Sequence, residues 1–135
     1  MSESVKHLQL VNQIIATVNE IVGQDNTCFI MSDAADHYPT PPQTEEGYRP
    51  DVFYQYDKLL IIGEAKTSDD IERQHSKLQY ASYMKKCSLF HGRAILIVAV
   101  PWMDHAAAHN TLNRIKKDYS GQFDVRILDG IVGAL

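Results

Sequence analysis

The chain has 135 residues, 44% hydrophobic and 22% charged, which is typical of one soluble globular domain over residues 1–135 with a buried core. Its formal net charge of −4 argues against extensive nonspecific nucleic-acid binding, although a local basic groove stays open. The longest apolar run, residues 94–100, is too short to span a membrane, and two cysteines make no disulfide framework, which favours free thiols and a cytoplasmic protein.

Hydrophobic periodicity and chain-breaking residues predict eight elements. Apolar residues at three- and four-residue spacing predict a first helix that ends at Gly23. The proline-rich residues 32–48 predict a long loop that serves as a lid or a DNA contact. Asp69 and Glu72 form a capping-box pattern at the start of the second helix. In chain order, the predicted elements are helix 4–22, strand 27–31, strand 49–56, strand 59–66, helix 69–89, strand 93–100, helix 104–119 and strand 123–128.

The order of these elements predicts an α/β fold. The continuous apolar, β-branched run at residues 93–100 is expected of a central parallel strand that is covered on both faces. The strand–helix–strand units then place helices against the sheet. We therefore expect an α-β-β-β-α-β core with one added helix and one added strand, forming a mixed sheet flanked by helices.

The two central strands carry the most informative residues. If Asp57-Lys58 is a two-residue turn, Tyr56 faces Leu59 and the numbers of every cross-strand pair sum to 115. Asp51 then faces Glu64, with their β-carbons about 5 Å apart. A four-residue loop keeps this register, whereas a three-residue loop offsets the two acids by one position. The sequence thus predicts two acids that face each other across the hairpin.

Two carboxylates at that distance repel each other unless a cation lies between them. Strand side chains alternate, so Lys66 shares the face of Glu64, and Gly63 and Ala65 face the other way and let a helix pack closely. A plain Glu64–Lys66 ion pair is the simpler alternative. Paired acids in an otherwise apolar strand favour a divalent metal beside a lysine.

At this point the chain resembles the PD-(D/E)xK nuclease superfamily. The family pattern is matched by Pro50-Asp51, twelve intervening residues and Glu64-Ala65-Lys66, within the same α-β-β-β-α-β order. Gln79 and Tyr83 match the Q-x-x-x-Y feature of RecB-like members, and Lys66-Thr67 resembles their xKT ending. The resemblance implies a restriction-endonuclease-like fold and Mg²⁺- or Mn²⁺-dependent hydrolysis of phosphodiester bonds in DNA.

The resemblance also implies a role for each matching residue. Asp51, Glu64 and the Ala65 carbonyl would be the metal ligands, an oxygen-rich set that suits Mg²⁺. Lys66 would hold and help deprotonate the attacking water. Gln79 would orient a metal-bound water or a phosphate, and Tyr83 would pack or bond beside it. If the second helix begins at Asp69, Gln79 lies about 15 Å along it, too far from the acids unless the helix crosses obliquely or starts later.

The first helix is expected to add a ligand in many members of this family, and three residues compete for that role. Glu20 points away from the apolar stripe, and the topology places it at the far end of the helix. Glu3 and His7 are better placed, because an antiparallel first strand brings the start of the helix toward Asp51. A capping or terminal role is the simpler explanation for each.

The remaining predictions concern partners. Lys77, Arg73 and Lys85 are weak candidates for nucleic-acid contacts, although a solvated helix face explains them equally well. The leading hypothesis is a Mg²⁺-dependent DNA nuclease that works as a homo-oligomer or within a larger nuclease complex, with no membrane partner. The alternative is a noncatalytic structural or regulatory subunit on the same fold.

Overall fold

The computed structural model describes residues 5–34 and 37–129. Within these residues, three α-helices and five strands form the fold, with short 3₁₀ helices at Gln24–Phe29 and Trp102–Asp104. In chain order the main elements are α1 (Val5–Val22), β1 (Ile30–Met31), β2 (Val52–Tyr56), β3 (Leu59–Ala65), α2 (Gln74–Leu89), β4 (Arg93–Ala99), α3 (His105–Lys116) and β5 (Asp124–Leu128).

The five strands form one mixed sheet in the order β1-β2-β3-β4-β5. β1, β2 and β3 pair antiparallel, whereas β3, β4 and β5 run parallel. Helices cover both faces of the sheet, and each face carries its own hydrophobic cluster. The predicted α/β architecture, a mixed sheet flanked by helices, is therefore confirmed.

The β2–β3 hairpin has the predicted register. Asp57 and Lys58 both have positive φ, 50° and 64°, as a two-residue type I′ turn requires. Tyr56 pairs with Leu59, and at the other end Val52 pairs with Gly63. Asp51 immediately precedes β2. If the register is continued by one residue beyond the Val52–Gly63 pair, Asp51 lies opposite Glu64.

α1 packs on one face of the sheet and α2 with α3 on the other. The α1 cluster includes Val11, Ile14 and Val18 together with sheet residues such as Val52 and Ile61. The opposite cluster unites residues of α2 and α3 with the alternate positions of the same strands. Burial on both faces explains the continuous apolar character of β4.

Gly63 permits a close approach between α1 and β3. A β-carbon added at Gly63 would lie 2.6 Å from Ile14 Cγ2 and 3.2 Å from Val52 Cβ. Ala65 is also buried in the α1 cluster. The prediction that these two residues face a closely packed helix, away from Glu64, is confirmed.

The prediction of a strand at residues 27–31 is wrong for residues 27–29. Residues Gln24–Phe29 form a 3₁₀ helix, and only Ile30–Met31 pair with β2. Asn26 Nδ2 donates to the Val22 carbonyl and Thr27 Oγ1 donates to the Gln24 carbonyl, at 3.2 Å each. Such local side-chain bonds compete with strand pairing.

The predicted start of the second helix at Asp69 is also wrong. α2 begins at Gln74, and residues 68–73 form successive turns. Ile71 is buried in the α2/α3 cluster, and its carbonyl accepts a hydrogen bond from the Tyr80 hydroxyl at 3.0 Å. These tertiary contacts hold the segment out of helical geometry despite its capping-box pattern.

The long loop crosses α2 as an ordered strap, defined here as residues 37–50. Ser82 Oγ lies 2.6 Å from both Thr44 Oγ1 and Glu46 Oε1. Lys85 Nζ lies 3.0 Å from Glu45 Oε1 and 2.8 Å from Glu46 Oε2. These contacts hold the strap against α2 and so fix the position of the backbone that leads into Asp51.

Two further predictions concern cysteines and membranes. Cys28 is exposed and Cys87 is buried, and both are free thiols. Among residues 5–34 and 37–129, the structure contains no helix with the length and apolar character needed to cross a membrane.

Candidate active site

Asp51, Glu64 and Lys66 meet at one edge of the sheet, where β2 begins and β3 and β4 end. We call this the site edge. Asp51 Oδ2 accepts a hydrogen bond of 2.9 Å from the Ala65 backbone N–H. Lys66 directly follows β3, and its backbone N–H donates to the Ala99 carbonyl at the end of β4, at 2.9 Å. Asp51 therefore lies beside the segment of β3 that carries Glu64 and Lys66.

Glu64 is a buried carboxylate with two polar neighbours. It is 4% exposed, and its Oε1 accepts a 2.9 Å hydrogen bond from the Tyr83 hydroxyl. Its Oε2 lies 3.5 Å from Lys66 Nζ. Burial and the nearby charge of Asp51 raise the pKa of Glu64 to about 8, against the opposing effects of Lys66 and Tyr83. Glu64 is therefore largely protonated at neutral pH unless a further cation joins the site.

Lys66 is held by α2 as well as by β3. Its ammonium group donates a hydrogen bond to Gln79 Oε1, and the side chain is 9% exposed. Because α2 starts at Gln74, Gln79 lies only about 7.5 Å along the helix axis. The later helix start removes the distance problem that a start at Asp69 would have created.

Tyr83 lies one helical turn beyond Gln79 and points at Glu64. Its side chain is fully buried. Burial and the adjacent Glu64 raise the pKa of the Tyr83 hydroxyl well above its usual range. Tyr83 therefore stays protonated and remains a hydrogen-bond donor to Glu64.

The start of α1 reaches the site edge. His7 Nε2 lies 3.4 Å from Asp51 Oδ2. Glu20 is exposed near the other end of α1, as its position in the apolar pattern predicted. Glu3 lies outside the described residues. His7 is thus the described first-helix candidate that contacts Asp51.

The three basic residues considered for nucleic-acid contacts have different surroundings. Lys85 lies between two strap glutamates, which offset its charge. The exposed Arg73 donates to the Asp69 carbonyl at 2.7 Å and lies 3.4 Å from Asp70. Lys77 is half-buried on α2. A role for any of them on a nucleic acid stays a prediction.

Sequence reasoning missed a polar group behind Asp51. Ser32 is fully buried, and its hydroxyl donates a 2.7 Å hydrogen bond to the Asp51 carbonyl. Its signal was its place directly after the strand that pairs with β2. Ser32 fixes the backbone of Asp51, just as the Ala65 N–H fixes its carboxylate.

The donor set available to a metal is small and consists of oxygen. Within residues 5–34 and 37–129, no three His, Cys, Asp or Glu side chains come together as a metal-binding group. The oxygen donors at this edge are the carboxylates of Asp51 and Glu64, to which the resemblance adds the Ala65 carbonyl. Such hard donors suit Mg²⁺ rather than zinc. Burial and Asp51 raise the pKa of Glu64, and a bound cation would favour its ionised form.

Comparison with known proteins does not assign this site. A scan against protein-family models, a search of curated proteins and a search of solved structures each found no match to the chain. The resemblance to the PD-(D/E)xK nucleases therefore depends on the residues and geometry described above.

Proposed function

We propose that the protein is a Mg²⁺- or Mn²⁺-dependent DNA nuclease of the PD-(D/E)xK type with a restriction-endonuclease-like fold. The observation that carries this proposal is the meeting of Asp51, Glu64 and Lys66 at the site edge, with Gln79 and Tyr83 bonded to two of them. Burying a lysine and a carboxyl group at the end of an apolar strand costs desolvation free energy, and perturbed ionisable groups of this kind cluster at functional sites.

The acids and the Ala65 carbonyl would hold the metal. A bound Mg²⁺ supplies Lewis acidity toward the scissile phosphate. Tyr83 holds one oxygen of Glu64, so the other oxygen keeps its orientation toward Lys66. The Ala65 N–H holds one oxygen of Asp51 in the same way. Both carboxylates are thus oriented before a ligand arrives, which lowers the entropy cost of binding.

Lys66 supplies positive charge on the side where the phosphate would lie. Its ammonium group is buried and is positioned by Gln79 and Glu64. A cation held in a water-poor site stabilises the negative charge that develops on a phosphate during attack by water. Lys66 can also orient the attacking water, and Gln79 fixes the lysine for both tasks.

The test is cleavage of linear, circular, single-stranded and branched DNA with Mg²⁺ or Mn²⁺. We expect cleavage by the wild-type protein and its loss in Asp51→Asn and Lys66→Met. Asp57→Asn is the matched control, because Asp57 lies in the turn at the other end of the same hairpin. Failure of the wild-type protein on every substrate would reject the nuclease and support the noncatalytic subunit.

A further inference from the structure

Two large apolar side chains are exposed next to the candidate site. Trp102 is 61% exposed and Met103 is 62% exposed, and both lie in the 3₁₀ turn Trp102–Asp104 that follows β4. Adjacent exposed apolar side chains of this size often mark a binding surface. We call this pair the Trp102 platform.

Two connections place the platform at the site edge. The Lys66 N–H bonds the Ala99 carbonyl, and Trp102 follows Ala99 by three residues, so their α-carbons are at most about 11 Å apart. Beyond Lys66, the Ser68 hydroxyl donates a hydrogen bond to Asp104 Oδ2. The turn that carries the platform is therefore tied to Lys66 through the end of β4 and to Ser68 through Asp104.

The backbone under the platform is fixed. Pro101 has its φ angle restrained by its ring, and its carbonyl accepts the Asp104 N–H at 2.9 Å. The Trp102 carbonyl accepts the N–H of His105, the first residue of α3. The indole is thus carried by a turn that is held between β4 and α3, and little order needs to be gained when a ligand binds.

Resting on the proposed function, we propose that Trp102 stacks on an unpaired base next to the scissile phosphate. The preferred substrate would then be single-stranded DNA or a DNA end or branch with unpaired bases. Every base offers a π face to an aromatic ring, so this contact needs no particular sequence. In an intact duplex the bases are stacked on each other, so an exposed indole beside the backbone gains no such contact.

Trp102 is the only tryptophan in the chain, so its fluorescence reports this contact directly. The wild-type protein is titrated with a thymidine oligonucleotide and with a blunt duplex of equal length, in Ca²⁺ to suppress cleavage. We expect the single strand to quench the fluorescence and the duplex to leave it nearly unchanged. Binding of the single strand with no change in fluorescence would overturn the proposal.

Variants measured by anisotropy of labelled DNA give the second readout. Trp102→Ala should weaken single-strand binding about tenfold, whereas Trp102→Phe, which keeps an aromatic ring, should stay within about threefold. Leu89→Ala is the matched control, because Leu89 is also an exposed apolar residue, 67% exposed, and it lies at the C-terminal end of α2. Equal losses on single strand and duplex, or no loss in Trp102→Ala, would refute stacking. If the alanine variant fails to fold, the fluorescence titration of the wild-type protein keeps the proposal falsifiable.

The two proposals fail in different ways. Quenching by single strands without cleavage of any DNA in Mg²⁺ would reject the nuclease and keep the stacking site. Cleavage that is unchanged in Trp102→Ala would keep the nuclease and reject stacking. If no DNA binds, the stacking proposal is wrong. A concentration-dependent self-association in sedimentation velocity that Trp102→Ala abolishes would then make the platform a contact between copies.

Discussion

Replacing Glu64 by glutamine should remove a large pH dependence of stability. The folded protein holds the Glu64 proton up to about pH 8, whereas the unfolded chain releases it near pH 4.5. The folded state therefore binds more protons across this window, and the free energy of unfolding falls as the pH rises through it. The difference between 4.5 and about 8 corresponds to a loss of roughly 5 kcal/mol at most.

The assay is urea unfolding of both proteins at a series of pH values in this window, with EDTA present to remove metal. Groups far from Glu64 affect both proteins alike, so the difference between the two profiles reports the Glu64 proton together with its coupling to Asp51 and Lys66. We expect Glu64→Gln to lack the decline seen in the wild-type protein. Glu20→Gln, at an exposed position on α1, should follow the wild-type profile. Parallel profiles for wild type and Glu64→Gln would refute the reasoning.

Two further substitutions test the packing around the site. Tyr83→Phe removes the donor to Glu64 Oε1 and leaves a buried acceptor, so unfolding free energy should fall by about 1–3 kcal/mol at alkaline pH, measured by urea unfolding. Gly63→Ala places a β-carbon 2.6 Å from Ile14 Cγ2 and forces α1 to shift, so it should cost about 1–3 kcal/mol in the same assay.

For each of these two predictions, a specific result would contradict the reasoning. Tyr56→Phe is the control for Tyr83, because Tyr56 is 44% exposed. An equal effect of the two substitutions would mean that the hydroxyl of Tyr83 contributes nothing specific. If the free energy of unfolding of Gly63→Ala lies within about 0.5 kcal/mol of the wild-type value, α1 can move away from β3 at little cost. The absence of a side chain at residue 63 would then not be required for packing.

The hairpin and its acids could be predicted because local rules govern them. Strand alternation and a two-residue turn decide which residue faces which, and no distant contact overrides them. Asp57-Lys58 is not a preferred turn pair, yet both residues adopt the positive φ that the register needs. The same local rules placed Gly63 on the α1 face.

The start of α2 could not be predicted, because contacts distant in sequence decide it. Asp69 and Glu72 match a capping box, but burial of Ile71 and the bond between Ser68 and Asp104 keep this segment in turns. The position of the Trp102 turn could not be predicted either, because it also depends on contacts distant in sequence. Only the pairing of β3 with β4 brings Ala99, three residues before Trp102, into contact with Lys66.

The most direct test of the account is a calorimetric titration of the protein with Mg²⁺ at a pH above 8, where Glu64 is ionised. The account predicts saturable binding by wild type that is lost in Asp51→Asn and in Glu64→Gln and retained in Asp57→Asn. Binding that survives loss of either site acid, or no binding by the wild-type protein, would contradict it.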